Sequence, residues 1–321
     1  MTVLADQFEE QRVRLLSVAY RITGSLTDAE DAVQESWIRL SDSDVESIDD
    51  LGAWLSTVVG RICLDRLKSA AVRREQYFGQ WLPEPVVTPY APEFSDPLQS
   101  VITAEASRYA AMVVLETLTP AMRVAFVMHD GFGVPFAEVA DILGVEVPAA
   151  RKLASRARRI LAEVPDPVPD SEQGAAIGRL VAALSSGDMD AVVAALDPEA
   201  MIVGDANRTT PTAVKPIHGA AGVARFLFGL VRRYDGADNL TDQIPVRING
   251  ELGSYSRGWD ALGDRRASPA RAISFLVRDG RVATIYDIAD PAKLAAVQPD
   301  QLLPADSTSA QGTRQESVEK P

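Results

Sequence analysis

The segment 136–161 constrains the fold of this chain more than any other stretch. Apolar residues recur in its first half at the spacing of one helix face: Phe136, Val139, Ala140 and Leu143. Gly144 follows where glycine commonly ends a helix, and Pro148 suits the first turn of a second helix. The segment therefore predicts two helices joined by a short turn.

The second predicted helix carries its charge on one side. Its expected inner face is apolar: Leu153, Ala157, Ile160 and Leu161. Residues 151–159 hold five basic side chains and no acidic one, in a chain of formal charge −13. Because a free surface helix usually mixes both signs of charge, this pattern favours a helix-turn-helix whose second helix enters the DNA major groove. A solvated basic face is the alternative interpretation.

Six polar residues of this helix are candidate DNA contacts. Four lie near its start, where side chains reach base edges: Arg151, Lys152, Ser155 and Arg156. An arginine pairs with guanine through the base atoms O6 and N7. Arg158 and Arg159 lie further from the helix start, so we expect them to contact phosphates.

The composition indicates a globular protein of two or three domains. The 321 residues are 46% hydrophobic and 24% charged. No run is long enough to span a membrane and the first residues lack the pattern of a signal peptide, so we expect a cytoplasmic protein. With one cysteine, Cys63, and two histidines, the sequence predicts no disulfide and no metal site, zinc included.

The charge is unevenly distributed along the chain. Residues 1–50 contain twelve acidic and four basic side chains, whereas residues 61–74 contain one acid and five bases. Those five bases are Arg61, Arg66, Lys68, Arg73 and Arg74. Two basic clusters in an acidic chain predict DNA contact at two places and leave acidic surface for another partner.

Periodicity and proline content divide the rest of the chain. Helices are predicted over residues 4–23, 28–40, 51–74, 98–118, 120–129, 174–185, 190–196 and 222–234, the second of them with a Thr27–Glu30 capping box. Prolines predict linkers at 80–96 and 165–170. The first linker contains Trp81 and Phe94, which we expect to pack against another part of the chain.

Strand signals are confined to the C-terminal third. A short strand is predicted at 200–204, and two hairpins are predicted across Asn249-Gly250 and Asp279-Gly280. Helices followed by an antiparallel sheet indicate an α+β domain. From residue 298 the composition is typical of a disordered tail.

Three segments, in family order, resemble bacterial sigma factors of the extracytoplasmic-function (ECF) group. DAEDAVQESWIRL at 28–40 resembles the polymerase-binding helix, residues 53–75 the following promoter-opening segment, and FAEVADILG with ARKLASRARRIL the C-terminal helix-turn-helix. WLPEPVV in the linker and a SnoaL-like, NTF2-like extension resemble the ECF41 subgroup. Its DGGGR-type and NPDKL-type motifs are degenerate here, at 204–208 and 290–294.

The resemblance implies a multidomain fold, with two all-α helical sigma domains, the second carrying the helix-turn-helix, followed by an α+β NTF2-like cone. The implied ranges are a region 2 domain at 1–78, a proline-rich linker at 79–97, a region 4 domain at 98–163, a second linker at 164–173, the NTF2-like domain at 174–297 and a disordered tail at 298–321.

The resemblance also implies partners and site residues. Asp31, Gln34 and Glu35 would bind core RNA polymerase, the 61–74 cluster would hold the promoter −10 element, and the recognition helix would read the −35 element. The extension would regulate the sigma domains through an interdomain set: Trp81, Leu82, Pro83, Glu84, Asp205, Arg208, Asp290, Pro291, Lys293 and Leu294. A helix starting near Asp290 would bring Lys293 to Glu84. No cofactor is implied, and a small ligand of the extension stays open.

Two other functions remain open. A DNA-binding regulator that acts without polymerase would not need the 28–40 helix. An NTF2-like isomerase or hydrolase with a DNA-binding appendage would need a buried carboxylate and a hydrogen-bond donor. Its candidate residues are Asp205, Tyr255, Asp287 and His218. Their spacing is not diagnostic, so no catalytic residue is predicted.

Overall fold

The computed structural model describes residues 2–74, 79–90, 108–234, 243–261 and 266–302. The first ten residues of the helix predicted at 98–118, Phe94 of the linker, and the tail from residue 303 lie outside the described residues. The side chains of 70–78 are also outside them, among them those of Arg73 and Arg74. Of the helices that are described, none is long and apolar enough to cross a membrane.

Three helices form the first unit. They are α1 (Thr2–Thr23), α2 (Leu26–Ser41) and α3 (Leu51–Arg74), with a 3-10 turn at Val45–Ser47. The predicted Thr27–Glu30 capping box is wrong, because the N-cap of α2 is Ser25, whose hydroxyl accepts the Asp28 amide at 3.2 Å. Helix α2 therefore begins two residues before the predicted start.

The second unit contains the predicted helix-turn-helix. Its elements are α4 (Tyr109–Glu116), α5 (Pro120–Phe126), a π-helical turn (Val127–Gly131), α6 (Phe136–Leu143) and α7 (Val147–Leu161). Gly144 ends α6 in the left-handed conformation at φ 65°, as predicted. The predicted inner face of α7 faces the core, where Ala157 is buried together with Ala150 and Ala154. Alanines let α7 approach α5 closely, and Leu153, Ile160 and Leu161 are only partly buried.

The two helical units share one hydrophobic core. Leu15 and Ile62 of the first unit belong to the same buried cluster as Met128 and Ile142 of the second. Gly24 lies between the two units at φ 72°, a conformation that favours glycine, and a Cβ there would lie 2.1 Å from a carboxylate oxygen of Glu116, which would have to move. The two units are therefore packed directly on each other.

The C-terminal domain has the predicted α+β architecture. Helices α8 (Asp170–Ser186), α9 (Met189–Ala195) and α10 (Ala220–Arg233) pack with β2 (Leu196–Asp205), β3 (Ile217–His218), β4 (Ile244–Ile248), β5 (Glu251–Ser256), β6 (Arg271–Arg278) and β7 (Arg281–Ile288). Both predicted hairpins, β4–β5 and β6–β7, are confirmed. Helix α8 begins four residues before the predicted start of the domain, inside the stretch predicted as a linker.

The predicted first linker also contributes to the sheet. Residues Val87–Pro89 form β1, so the described strand order is β1-β4-β5-β6-β7-β2-β3, with only the β2–β7 pair parallel among these strands. Proline is tolerated there because β1 is an edge strand. This segment is thus part of the C-terminal sheet as well as a connection between the helical units.

Two predictions for the C-terminal end are wrong. Residues 291–296 form turns instead of the helix predicted from Asp290. The predicted disordered tail begins with an ordered 3-10 turn, Pro299–Leu302. It is held because Leu302 is buried and Asp300 pairs with Arg257 at 2.9 Å.

Candidate functional site

The outer face of α7 is open to solvent. All six residues predicted to contact DNA are exposed: Arg151, Lys152, Ser155, Arg156, Arg158 and Arg159. All of them except Arg158 line one shallow cleft. Helix α7 packs on α5 and α6 through its opposite face, so the packing of the helical units leaves this basic face uncovered.

The π-helical turn before α6 orients the start of α7, and no sequence signal predicted it. The ring of His129 stacks on that of Phe136 with centroids 3.6 Å apart, and the Arg151 guanidinium lies 5.7 Å from the Phe136 centroid. Asp130, from the same turn, accepts two hydrogen bonds from Arg158. Arg158 is therefore partly engaged within the protein, whereas it was predicted to contact phosphate.

Helix α2 presents a mixed stripe on its outer face. Asp31 and Gln34 are exposed, and Glu35 is partly so. Ile38 lies one turn further along the same stripe and is 53% exposed. Sequence reasoning missed Ile38 because an apolar residue in an amphipathic helix is normally assigned to the core. An exposed isoleucine among polar residues gives this face an apolar contact point.

Arg66 of α3 covers part of that stripe. Its guanidinium lies 3.3 Å from a carboxylate oxygen of Asp28, 3.3 Å from one of Asp31 and 3.6 Å from one of Glu35. Three acids at helical spacing repel one another, and a shared cation offsets that repulsion. Arg66, predicted to hold DNA, and Asp31 and Glu35, predicted to bind polymerase, are therefore paired with each other.

The other cations of α3 are placed differently. Arg61 is exposed, and exposed Lys68 forms an i,i+3 pair with Asp65 at 3.3 Å. Arg73 and Arg74 belong to the last turn of α3, and their side chains are outside the described residues. Among the described cations of the predicted −10 cluster, Arg61 and Lys68 are thus the ones open to a ligand.

The C-terminal domain holds residues 81–82 through a buried cation and a buried anion. The Asp205 carboxylate accepts the Leu82 amide at 2.7 Å and the Lys293 ammonium at 2.6 Å. Lys293 also donates to the Leu82 carbonyl and lies 3.6 Å from the centroid of the Trp81 ring. Burial lowers the pKa of Lys293, although the charge of Asp205 acts in the opposite direction. Lys293 was predicted to meet Glu84, and its ion-pair partner is instead Asp205.

The next residues of this segment bind the two helical units. The Pro83 carbonyl accepts the Tyr109 hydroxyl of α4 at 2.8 Å. The Glu84 amide donates to the Gly24 carbonyl, and the Glu84 carbonyl accepts the Tyr20 hydroxyl, both at 2.8 Å. The second helical unit therefore contacts this segment at Pro83, and the first helical unit contacts it at Glu84.

At Val86 the segment contacts the C-terminal domain again. Its amide and carbonyl both bond to Asn249, at 3.0 and 2.9 Å, and the Asn249 amide group also donates to Tyr20 at 2.9 Å. Sequence reasoning identified Asn249 as a turn residue, and its side-chain role was missed. The segment 81–90, which we call the linker rail, is thus bound by all three units of the chain.

Comparison with known proteins identifies the helical units. The sigma-70 region 2 family matches residues 8–73, and the sigma-70 region 4 family matches residues 109–161. The ECF RNA polymerase sigma factor SigJ of Mycobacterium tuberculosis is 50% identical over 291 residues, which are 90% of this chain and 92% of the relative. The chain belongs to the ECF sigma factors. It therefore serves promoter-directed transcription initiation by RNA polymerase.

Two further similarities agree with this assignment. A probable ECF sigma factor of M. tuberculosis, SigI, is 34% identical over 219 residues, 64% of this chain and 73% of the relative. The crystal structure of M. tuberculosis SigJ superposes with a TM-score of 0.78 at 48% identity, covering 91% of this chain and 98% of that one. The similarity to SigJ thus includes most of the C-terminal domain of this ECF sigma factor.

The other predicted interdomain residues of this ECF sigma factor differ in burial. Leu294 is buried in the apolar cluster that contains Leu82, and buried Asp290 accepts the Ala292 amide at 3.0 Å. Pro291 and Arg208 are exposed, and Arg208 occupies the left-handed conformation at φ 65°.

The four residues proposed for an enzyme do not form one site. Asp205 and Tyr255 lie on the sheet face that packs on the linker rail, separated by strands β7 and β6. Asp287 lies on the other face and is bonded to Arg271 and Thr212, and His218 is exposed on β3. Across the described ranges, His, Cys, Asp and Glu form no group of three or more that could hold a metal ion.

Proposed function

We propose that this ECF sigma factor binds core RNA polymerase through α2 and promoter DNA through α3 and α7, and that its C-terminal domain controls both by holding the linker rail. One observation carries the regulatory part. Along residues 82–86, the backbone groups bond in turn to the C-terminal domain, region 4, region 2 and again the C-terminal domain. A change in the C-terminal domain therefore changes the distance between the two DNA-binding units.

The stripe on α2 suits a polymerase surface that is basic with an apolar pocket. Asp31 and Glu35 supply negative charge, which steers a basic partner during association. Ile38 supplies apolar area, and an anchor of this kind commonly dominates the affinity of an interface. Arg66 offsets part of the negative charge of Asp31 and Glu35. Because Arg66 does not cover Gln34 and Ile38, mutation of these two residues tests the polymerase contact most directly.

The basic face of α7 suits the major groove of duplex DNA. Its exposed arginines lie near the helix start, the part of a recognition helix that reaches base edges. The exposed cations of α3 suit the phosphates of a strand that is being opened. Because a sigma factor must contact both elements of one promoter, the fixed distance between α3 and α7 determines whether both contacts form together.

Polymerase binding is tested by co-purification of the full chain with core RNA polymerase, followed by run-off transcription. We expect the double variant Gln34→Ala and Ile38→Ala to lose most association and transcription, since it removes the contacts that Arg66 does not cover. Val13→Ala is the matched control, because Val13 is 40% exposed on α1, away from this stripe. Unchanged association of the folded double variant would refute the docking face.

Regulation is tested by Lys293→Met, which removes the cation that holds Leu82 and Asp205. Spin labels at Glu46→Cys and Glu163→Cys report the separation of the helical units, because Cys63 is buried and burial raises the pKa of its thiol. We expect the separation and run-off activity to change together. Arg278→Ala is the matched control, since it breaks a carboxylate pair in the same domain, that with Asp197, at the hairpin end of β6 and β7. If neither quantity changes, the C-terminal domain does not act through Lys293.

A further inference from the structure

The first turn of α2 receives part of its N-terminal cap from the linker rail. A helix start leaves amide groups without intrahelical partners. The Leu26 amide donates to the Glu84 carboxylate at 2.8 Å, and the Ser25 hydroxyl and Thr27 amide lie close enough to act on the pKa of that carboxyl. The Ser25 hydroxyl accepts the Asp28 amide, at 3.2 Å. The first amide of α2 is thus satisfied by a residue 58 positions away.

The position of the Glu84 carboxylate is fixed by its own backbone. The Glu84 amide and carbonyl are bonded to Gly24 and Tyr20, and the flanking residues Leu82 and Val86 are held by the C-terminal domain. Glu84 is 6% exposed, so its carboxylate is directed at the helix start and away from water. A negative group at a helix N-terminus is stabilised by the helix dipole as well as by the hydrogen bonds.

We infer that Glu84 is a positioning residue for the polymerase-binding helix, and that the C-terminal domain supports α2 by holding the linker rail in the capping position. The inference rests on the proposed function, because it takes α2 as the helix that binds core RNA polymerase. Release of the rail withdraws the cap, and the first turn of α2 then frays. Asp28 lies in that turn and Asp31 in the next, so fraying disturbs the acids that Arg66 bridges.

Amide hydrogen exchange of the full chain tests the cap without polymerase. We expect Glu84→Ala to speed exchange at Leu26 and Thr27 by roughly 2- to 30-fold, the factor that corresponds to loss of an N-cap. Glu84→Gln retains an acceptor oxygen, so it should preserve most of the protection. Unchanged exchange at both amides in Glu84→Ala would overturn the inference.

The coupling is tested by releasing the rail from the C-terminal side. The double variant Lys293→Met and Asn249→Ala removes two of the side chains through which the C-terminal domain holds residues 82–86, and Asp205 is left in place. We expect the same two amides to exchange faster in this variant, although Glu84 is intact. When Glu84→Ala is added, the combined effect should be smaller than the sum of the separate effects. Additive effects, or unchanged exchange in the double variant, would overturn the coupling.

Two controls separate this cap from general loss of stability. Ser25→Ala removes the hydroxyl that accepts the Asp28 amide, so it should speed exchange at Asp28 more than at Leu26, whose amide is bonded to Glu84. Thr119→Ala removes an N-cap of the same kind from α5, where the hydroxyl accepts the Met122 amide at 3.3 Å, and should leave α2 unchanged. Equal acceleration in Thr119→Ala would mean that the exchange reports global opening and would overturn the assignment.

Affinity for core RNA polymerase completes the test. We expect Glu84→Ala to weaken binding by no more than the factor seen in exchange, and Glu84→Gln to restore most of it. If the wild-type chain does not bind core polymerase, the proposed function fails while the exchange result still decides whether Glu84 caps α2. If exchange changes but the affinity does not, Glu84 has no positioning role in polymerase binding.

Discussion

Helix α7 and the linker rail are both rich in polar groups, but these groups face opposite environments. On α7 the cations are exposed, and the described ion pair among them is that between Arg158 and Asp130. On the rail the backbone groups are buried and bonded to three units of the chain. Helix α7 therefore leaves its cations open to an external partner, whereas the linker rail has its partners within the molecule.

The two regions should therefore respond differently to salt. Exposed charges interact weakly and are screened, because water and ions compete for them. The buried pair of Lys293 and Asp205 is screened little, and removal of one partner leaves the other charge buried without compensation. Mutation of the side chains that hold the linker rail should change the stability of the folded chain. Mutation of the exposed α7 cations should change only the affinity for a partner.

The largest effect is expected at Lys293. Lys293→Met should lower the free energy of unfolding by about 3–5 kcal/mol, because the Asp205 carboxylate is left buried without its cation. Urea denaturation at low and high salt measures this change, which should be nearly independent of salt. Addition of Asp205→Asn should recover part of the loss, since a neutral amide still accepts the Leu82 amide. Arg158→Ala breaks the exposed pair with Asp130 and should lower the free energy of unfolding by at most about 1 kcal/mol. An equal loss in Lys293→Met and Arg158→Ala would contradict the contrast between buried and exposed pairs.

A smaller effect is expected on DNA binding at α7. Arg151→Ala or Arg156→Ala should cost about 1–3 kcal/mol at one base position and relax the preference there. The unfolding free energy should stay within about 0.5 kcal/mol, because both side chains are exposed. Selection of duplexes from a randomised library by the polymerase complex measures the preference. Loss of affinity without any change of preference would show that these residues contact only phosphates.

Local patterns predicted much of the fold but not the contacts of the linker rail. The helix-turn-helix followed from apolar spacing and Gly144, and the hairpins followed from Asn249-Gly250 and Asp279-Gly280. These signals act within a few residues of the chain. The contacts of Glu84 with Leu26 and of Asn249 with Val86 join residues 58 and 163 positions apart, so no periodicity carries them.

Contacts between residues far apart in sequence also explain why the two predicted basic clusters differ in how many of their cations are open to solvent. Both were predicted from an excess of Lys and Arg, and composition does not reveal whether a cation meets an acid from another helix. On α7 no described acid reaches Arg151 or Arg156 within ion-pair distance, whereas α2 presents three acids to Arg66. The packing of α2 on α3 therefore decides which cations remain open.

The docking of the linker rail on the helical units should also depend on pH, through the Glu84 carboxyl. Burial raises the pKa of Glu84, although bonds from Ser25, Leu26 and Thr27 and the charge of Lys293 act in the opposite direction. In the docked state the Glu84 carboxyl is buried at the start of α2, and in the released state it is exposed to water. Because its pKa is raised in the docked state, it binds protons more readily there than in the released state. Docking is therefore favoured as the pH falls toward the ordinary value of 4.5 and weakens as the pH rises through the raised pKa.

The distance between labels on region 2 and the C-terminal domain, at Glu46→Cys and Ser185→Cys, measures this docking as a function of pH. In the wild-type chain the docked population should grow between neutral pH and about pH 5. Glu84→Gln cannot ionise, so its population should be flatter over the same range. An identical pH dependence in both proteins would assign the effect to other groups.

The smallest effects are expected within α3, where one helix contains both kinds of cation. Arg61 is exposed, so Arg61→Ala should weaken binding to single-stranded DNA of mixed sequence and lower the salt slope by about 1. Arg66 is bonded to three acids of α2, so Arg66→Ala should leave that slope unchanged. Because the acids of these pairs are partly exposed, its cost in unfolding free energy should be at most about 1 kcal/mol. Titrations at several salt concentrations measure the slopes, and Lys68→Ala provides a second exposed cation for comparison. A lower slope in Arg66→Ala, equal to that in Arg61→Ala, would mean that DNA displaces the acids from Arg66 and that its pairing in the free chain is exchangeable.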